Sequence, residues 1–248
     1  MTDLLKVDIL ACFPINHRLM DGPEWWLGKM GDVEAAGKLV EQAWAARQSS
    51  LLKEKLSGKS PLLLTVPGTS GQNMVTLALA DLIQKDLGGT VIVGDDLFRH
   101  VEMRQIKYVA KKDRIFLARR FEARADVSFL REQPLVLVED VISSGITVFS
   151  FAKMLQRQGI QPLAIVTFMG KDKLIPEPQL VSKLQAALKR GNSGIRAKDF
   201  AELLTRVEAQ EIIDMANEAS KDGNNGIAGT IQRIFDIKTS VFVEGSTQ

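Results

Sequence analysis

Short runs of leucine and valine alternate along this chain with stretches of helical period, and that alternation restricts the fold more than any other feature. Residues 62–66 read as a buried strand that ends in the turn Pro67-Gly68-Thr69-Ser70-Gly71. Met74, Val75, Ala78, Leu79, Leu82 and Ile83 then repeat at helical spacing until Gly88-Gly89. Residues 90–93 and 135–138 supply further strands, the latter followed by a helix with Val148, Phe151, Ala152 and Leu155 on one face. Gly159 ends that helix and residues 163–168 form another strand. The pattern predicts an α/β fold, a parallel sheet flanked by helices, with extra N-terminal and C-terminal helical elements.

The organisation expected is a core over 61–170, an N-terminal extension over 1–60 as a possible hood, and a mainly helical C-terminal extension over 171–248 packed on the core. In the extension before the core, residues 7–12 are a possible strand, Trp25 and Trp26 fall in a loop, and 33–55 are helical. Beyond it, Leu180, Val181, Leu184, Ala187 and Leu188 form one stripe and Phe200, Leu203, Leu204 and Val207 another. Residues 222–229 read as a loop, and 240–243 as an edge strand.

The chemistry concentrates in Glu139-Asp140-Val141-Ile142-Ser143-Ser144-Gly145-Ile146-Thr147. A strand delivers two adjacent carboxylates to its carboxyl end, where α/β folds place ligands. A hydroxyl-rich turn then enters a helix N-terminus, whose N–H groups and dipole suit a phosphate dianion. Gly145 lets the backbone approach a ligand without a Cβ in the way. Carboxylates beside such a cradle repel phosphate, so sugar hydroxyls or a phosphate-bound Mg²⁺ are their natural partners.

This segment resembles the phosphoribosyl pyrophosphate (PRPP) binding motif of type I phosphoribosyltransferases. The resemblance implies that Glu139 and Asp140 address the ribose hydroxyls, as catalytic groups and as indirect ligands of Mg²⁺ through the substrate. It implies that Val141, Ile142, Ser143, Ser144, Gly145, Ile146 and Thr147 surround the 5′-phosphate. Upstream, Pro67, Gly68, Thr69, Ser70 and Gly71 occupy the place of the pyrophosphate loop, and Gly71-Gln72-Asn73 looks loosely like the competence-associated (ComF-like) branch. That loop holds no Lys or Arg, a departure from many family members. The implied reaction displaces pyrophosphate from C1 of PRPP by a nitrogen nucleophile, in a homodimer that also binds nucleoside monophosphates.

Ten lysines and arginines against four carboxylates crowd residues 99–131, where the family carries its flexible loop. They suit a pyrophosphate leaving group, a solvated helix or a nucleic-acid surface. A PRPP- or nucleotide-sensing regulator with a nucleic-acid or protein partner is therefore the alternative to an enzyme, and a structural interaction protein a third reading. A net charge of +2 does not by itself argue for nucleic acid.

One cysteine, Cys12, and two histidines, His17 and His100, exclude a zinc cluster and an intramolecular disulfide, and favour a reducing, cytoplasmic setting. Both histidines read as structural or exposed, and the tryptophan pair as packing more readily than as a base-stacking platform. No apolar run approaches the roughly 20 residues of a membrane span. Asp3 and Asp8, with no basic leader, argue against a signal peptide. Gly58-Lys59-Ser60 is not a P-loop, because Lys53 stands where its first glycine belongs and the strand follows it.

Overall fold

A computed structural model describes residues 7–15, 17–44, 46–68, 73–101, 115–117, 119–171, 173–221 and 227–244. Its strands are β1 (Asp8–Pro14), β2 (Leu62–Thr65), β3 (Thr90–Ile92), β4 (Phe98–His100), β5 (Phe121–Ala123), β6 (Leu135–Ile142) and β7 (Pro162–Gly170). The helices are α1 (Pro23–Lys29), α2 (Val33–Glu41), α3 (Ala46–Leu56), α4 (Met74–Leu87), α5 (Gly94–Leu97), α6 (Ile146–Arg157), α7 (Pro178–Arg190), α8 (Ala197–Ala201), α9 (Arg206–Lys221) and α10 (Ile227–Thr239).

Five strands make one parallel sheet in the order β1-β7-β6-β2-β3, while β4 and β5 pair antiparallel apart from it. Strands buried on both faces need apolar side chains at every position, which is why β2 and the first half of β6 read as continuous runs. Leu62, Leu64, Leu135, Leu137 and Ile165 pack with Val148, Phe151 and Leu155 of α6. Leu63, Val136, Val138 and Val166 alternate to the opposite face, against Trp25, Leu39, Leu52 and Leu79 of α1–α4. A third core, around Leu184, Leu188, Phe200, Ile212 and Ile234, joins α7–α10 and takes in Ile115.

The possible strand over 7–12 forms as β1, while several later elements differ from the sequence expectation. β1 joins the sheet edge beside β7, with Asp8 opposite Ala164 and Pro14 opposite Gly170. Trp25 and Trp26 lie in α1, which Pro23 starts from its first turn. Trp25 is buried and stacks on Phe168 with ring centroids 5.8 Å apart, whereas Trp26 is exposed. β6 runs on past Val138 because Glu139, Val141 and Ile142 still find partners in Thr167, Met169 and Gly170 of β7. The stripe from Phe200 to Val207 is broken between α8 and α9 by a capping box. There Glu208 accepts from the Thr205 N–H at 2.8 Å and Thr205 Oγ1 from the Glu208 N–H at 3.3 Å. Residues 240–243 extend α10 as a π-helical turn, not a strand, with Phe242 edge-on to Phe149 at 5.7 Å. Gly229 lies within α10, while residues 222–226 lie outside the described residues.

Candidate functional site

α4 leaves β2 over one face of the sheet and α6 leaves β6 over the other, and β2 and β6 are neighbours. Their carboxyl ends therefore flank a topological switch point, the place where a crevice opens in such sheets. A cavity of about 200 Å³ lies there, between Pro67 and Gly68, the N-terminal turn of α4, Thr147 at the start of α6, and Glu139 and Asp140. Two helix N-termini, of 14 and 12 residues, converge on it and favour an anion.

Asp140 is 5% exposed and held on several sides. Lys29 of α1 forms an ion pair with Oδ2, Asn73 Nδ2 donates to the same oxygen at 2.7 Å, and the Val141 N–H donates to Oδ1 at 2.6 Å. Glu139, on the alternate side of the strand, has no hydrogen-bond partner among the described residues. Burial, and then the Asp140 and Asp95 charges, hold its carboxyl well above the usual range, with Lys29 acting in the opposite sense. Asp95, in the short α5 that follows β3, is also raised by burial, against the Gly68 N–H that donates to its Oδ2 at 3.3 Å.

The β4–β5 pair closes one side of the cavity. His100 packs at a tilt against Phe121, with centroids 4.2 Å apart and ring planes 46° apart, and has Nε2 3.1 Å from the Pro67 carbonyl oxygen. Burial, and then the Arg119 charge, push its pKa down to about 4, so the ring is neutral near pH 7 and Nε2–H donates to Pro67. Arg119 is buried in the cavity wall. Gly94 brings the end of β3 against β2: its N–H donates to Thr65 Oγ1 at 2.8 Å, and a Cβ there would collide with the Thr65 carbonyl.

Of the residues singled out in the sequence, Glu139, Asp140, Thr147, Pro67 and Gly68 line this one cavity. Ser143 is exposed, Ser144 half-buried with its Oγ 3.5 Å from the Ile146 N–H, and Gly145 and Ile146 are buried. Val141 and Ile142 pack into the two cores flanking the sheet. Thr69, Ser70 and Gly71 lie outside the described residues. Gly145 has φ 79°, and the side a Cβ would occupy is filled by Leu174 Cδ1, so protein packing demands the glycine there.

Sequence reading passed over Lys29 and Asp95, and held Arg119 only as one of the ten basic residues of 99–131. Asp95 was findable, as an acid just past a strand. Lys29 stands 111 residues from Asp140 with no local signal, and only the packing of α1 against α2 and α4 brings it in. Among the described residues no three carboxylate, histidine or cysteine side chains cluster as a metal cage. Glu139 and Asp95 nonetheless repel one another across the cavity, a repulsion that a hard cation shared with ligand phosphates would relieve. Of the basic stretch, Arg99 pairs with Glu122 at 2.7 Å and Arg131 donates to the Gln158 carbonyl, while Arg104, Lys107, Lys111, Lys112 and Arg114 lie outside the described residues.

Comparison with known protein families, curated proteins and solved structures finds no match. The fold and site define an α/β protein with a helix-flanked five-stranded parallel sheet and a polar cavity at its switch point. Among the described residues no helix is long and apolar enough to cross a membrane.

Proposed function

We propose that the chain has a type I phosphoribosyltransferase fold and that its cavity binds PRPP or a nucleoside monophosphate, transferring ribose 5-phosphate to a nitrogenous acceptor with loss of pyrophosphate. The observation that carries this reading is the acid pair of β6 facing the 67–68 turn where the N-termini of α4 and α6 converge. A ligand with both hydroxyls and phosphates matches carboxylates and helix N-termini set side by side.

Thr147 and the first N–H groups of α6 take the 5′-phosphate. Glu139, whose carboxyl is held above the usual range by burial and the Asp140 charge, accepts from a ribose hydroxyl. Asp140 orients the ring and its charge favours positive character developing at C1, an electrostatic contribution. Lys29 supplies the cation that the 67–73 sequence lacks, beside the leaving group. Mg²⁺, held by Glu139 and Asp95 together with ligand phosphates, would neutralise charge on the pyrophosphate.

Titration calorimetry with PRPP and Mg²⁺ tests the pocket, and pyrophosphate release over a panel of bases and amines tests the reaction. Asp140→Asn is expected to lower turnover about 10²-fold or more. Absence of PRPP binding at millimolar concentration sinks the reading. One observation favours the sensor alternative: Lys29 is already committed to Asp140. Saturable PRPP binding with no pyrophosphate release from any acceptor would select it.

A further inference from the structure

We infer that the cavity on the far side of the β4–β5 pair is a second binding site, for the phosphate of a nucleotide. This cavity, of about 510 Å³, is walled by Arg119, Arg120 and Arg157, with Ser150 beside them and Met154 and Phe242 as an apolar floor. Its volume falls within the range of small-molecule sites, and the guanidinium is the side chain whose fork matches phosphate oxygens.

The Arg157 charge there is uncompensated among the described residues. Glu122, the carboxylate in the wall, is committed to Arg99 through two hydrogen bonds of 2.7 and 3.1 Å. Arg157 forms no ion pair among the described residues; its Nη1 donates to the Val241 carbonyl at 2.7 Å, and its buried Nη2 finds no acceptor. Burial alone depresses its pKa, consistent with a guanidinium that no neighbouring carboxylate offsets. A buried, unmatched donor is costly, and an incoming anion removes the cost. The two cavities share Arg119 as a common wall, yet the second site stands whether or not the first binds PRPP.

Calorimetric titration of the full chain with adenosine monophosphate and, separately, inorganic phosphate tests the inference. In an Asp140→Asn background, which disables the first cavity, Arg120→Ala/Arg157→Gln, which keeps an amide donor for Val241, is expected to weaken the remaining binding about tenfold or more. Arg120→Glu, at an exposed position, gives the same loss should the double variant fold poorly. Inorganic phosphate binding with the same arginine dependence and equal strength supports an anion site that does not use the base. Tighter adenosine monophosphate binding supports a nucleotide site. Binding in the Asp140→Asn background that the arginine substitutions leave unchanged, or that is absent for both probes at millimolar concentration, overturns it.

Discussion

Replacing Gly145 by alanine separates two reasons for a glycine in this turn, ligand approach and protein packing. With φ 79°, an L side chain there costs about 1–2 kcal/mol from its left-handed backbone. The new Cβ also runs into Leu174 Cδ1, the far end of a side chain that is 4% exposed and has little room to turn. Overpacking of that kind costs about 1–3 kcal/mol, so the sum is about 3 kcal/mol. For a chain of this size that lowers the melting temperature by roughly 6–12 °C. Leu174→Ala alone costs about 2–5 kcal/mol through its cavity. In that background Gly145→Ala should cost only the backbone part, so the double variant is more stable than the sum of the singles by about 1–3 kcal/mol. Urea unfolding of the four proteins measures this coupling. Additivity within about 0.5 kcal/mol would refute the packing argument. An unchanged Gly145→Ala stability with lost PRPP binding would restore the ligand-approach reading.

Other expectations follow from the titratable groups and the buried ion pair. His100 has its pKa lowered from 6.5 to about 4, so the unfolded chain binds the extra proton between those values. Its contribution to stability is complete above pH 6.5 and lost as pH falls towards 4. Melting curves of His100→Gln should show a flatter pH dependence across that window, and an unaltered profile would contradict the assignment. Glu139 is raised, so its charging opposes folding as pH rises above 4.5 through its folded value. Glu139→Gln should therefore melt higher than wild type at alkaline pH while losing PRPP binding, and a lower melting temperature there would refute this. Burial pushes the Cys12 thiol up to about 12, so alkylation of the folded chain at pH 8 should be about a hundredfold or more slower than in urea. Equal rates would show the thiol to be open. Lys238→Met strands the buried Glu208 carboxylate and should cost about 3–5 kcal/mol in urea unfolding, whereas a loss under 1 kcal/mol would argue that the pair is not the anchor it looks to be.

The sheet was legible because its strands are buried on both faces and carry no polar alternation to confuse them, as in Leu62–Thr65 and the opening of β6. Gly88, with φ 72°, ended α4 as its position after the stripe implied. Phe242 misled for a physical reason: a short β-branched and aromatic run fits a strand and a helical plug equally well until the sheet edges are known. Those edges belong to β1 and β3. The acid pair was legible as chemistry, but its surroundings were not. Lys29, Asp95 and Arg119 reach it from α1, α5 and the segment before β5, and no local spacing encodes a meeting between elements so far apart in the chain.

The C-terminal helices bear on the site through one buried contact. Lys238 of α10, 1% exposed, pairs with Glu208 of α9 and donates to the Leu117 carbonyl at 2.6 Å. Ile115 is buried in the same helical core. Two residues beyond Leu117, Arg119 enters the wall of both cavities, and Phe121 packs at a tilt against His100. The return of the basic segment to the sheet is thus anchored by an ion pair that the α9 capping box holds in place through Glu208. A buried pair of this kind adds little net stability over an apolar replacement, but it allows few alternative registers for the strand it pins. The helical extension is in that sense part of the site's scaffold, because its ion pair and apolar core hold the segment that leads into Arg119.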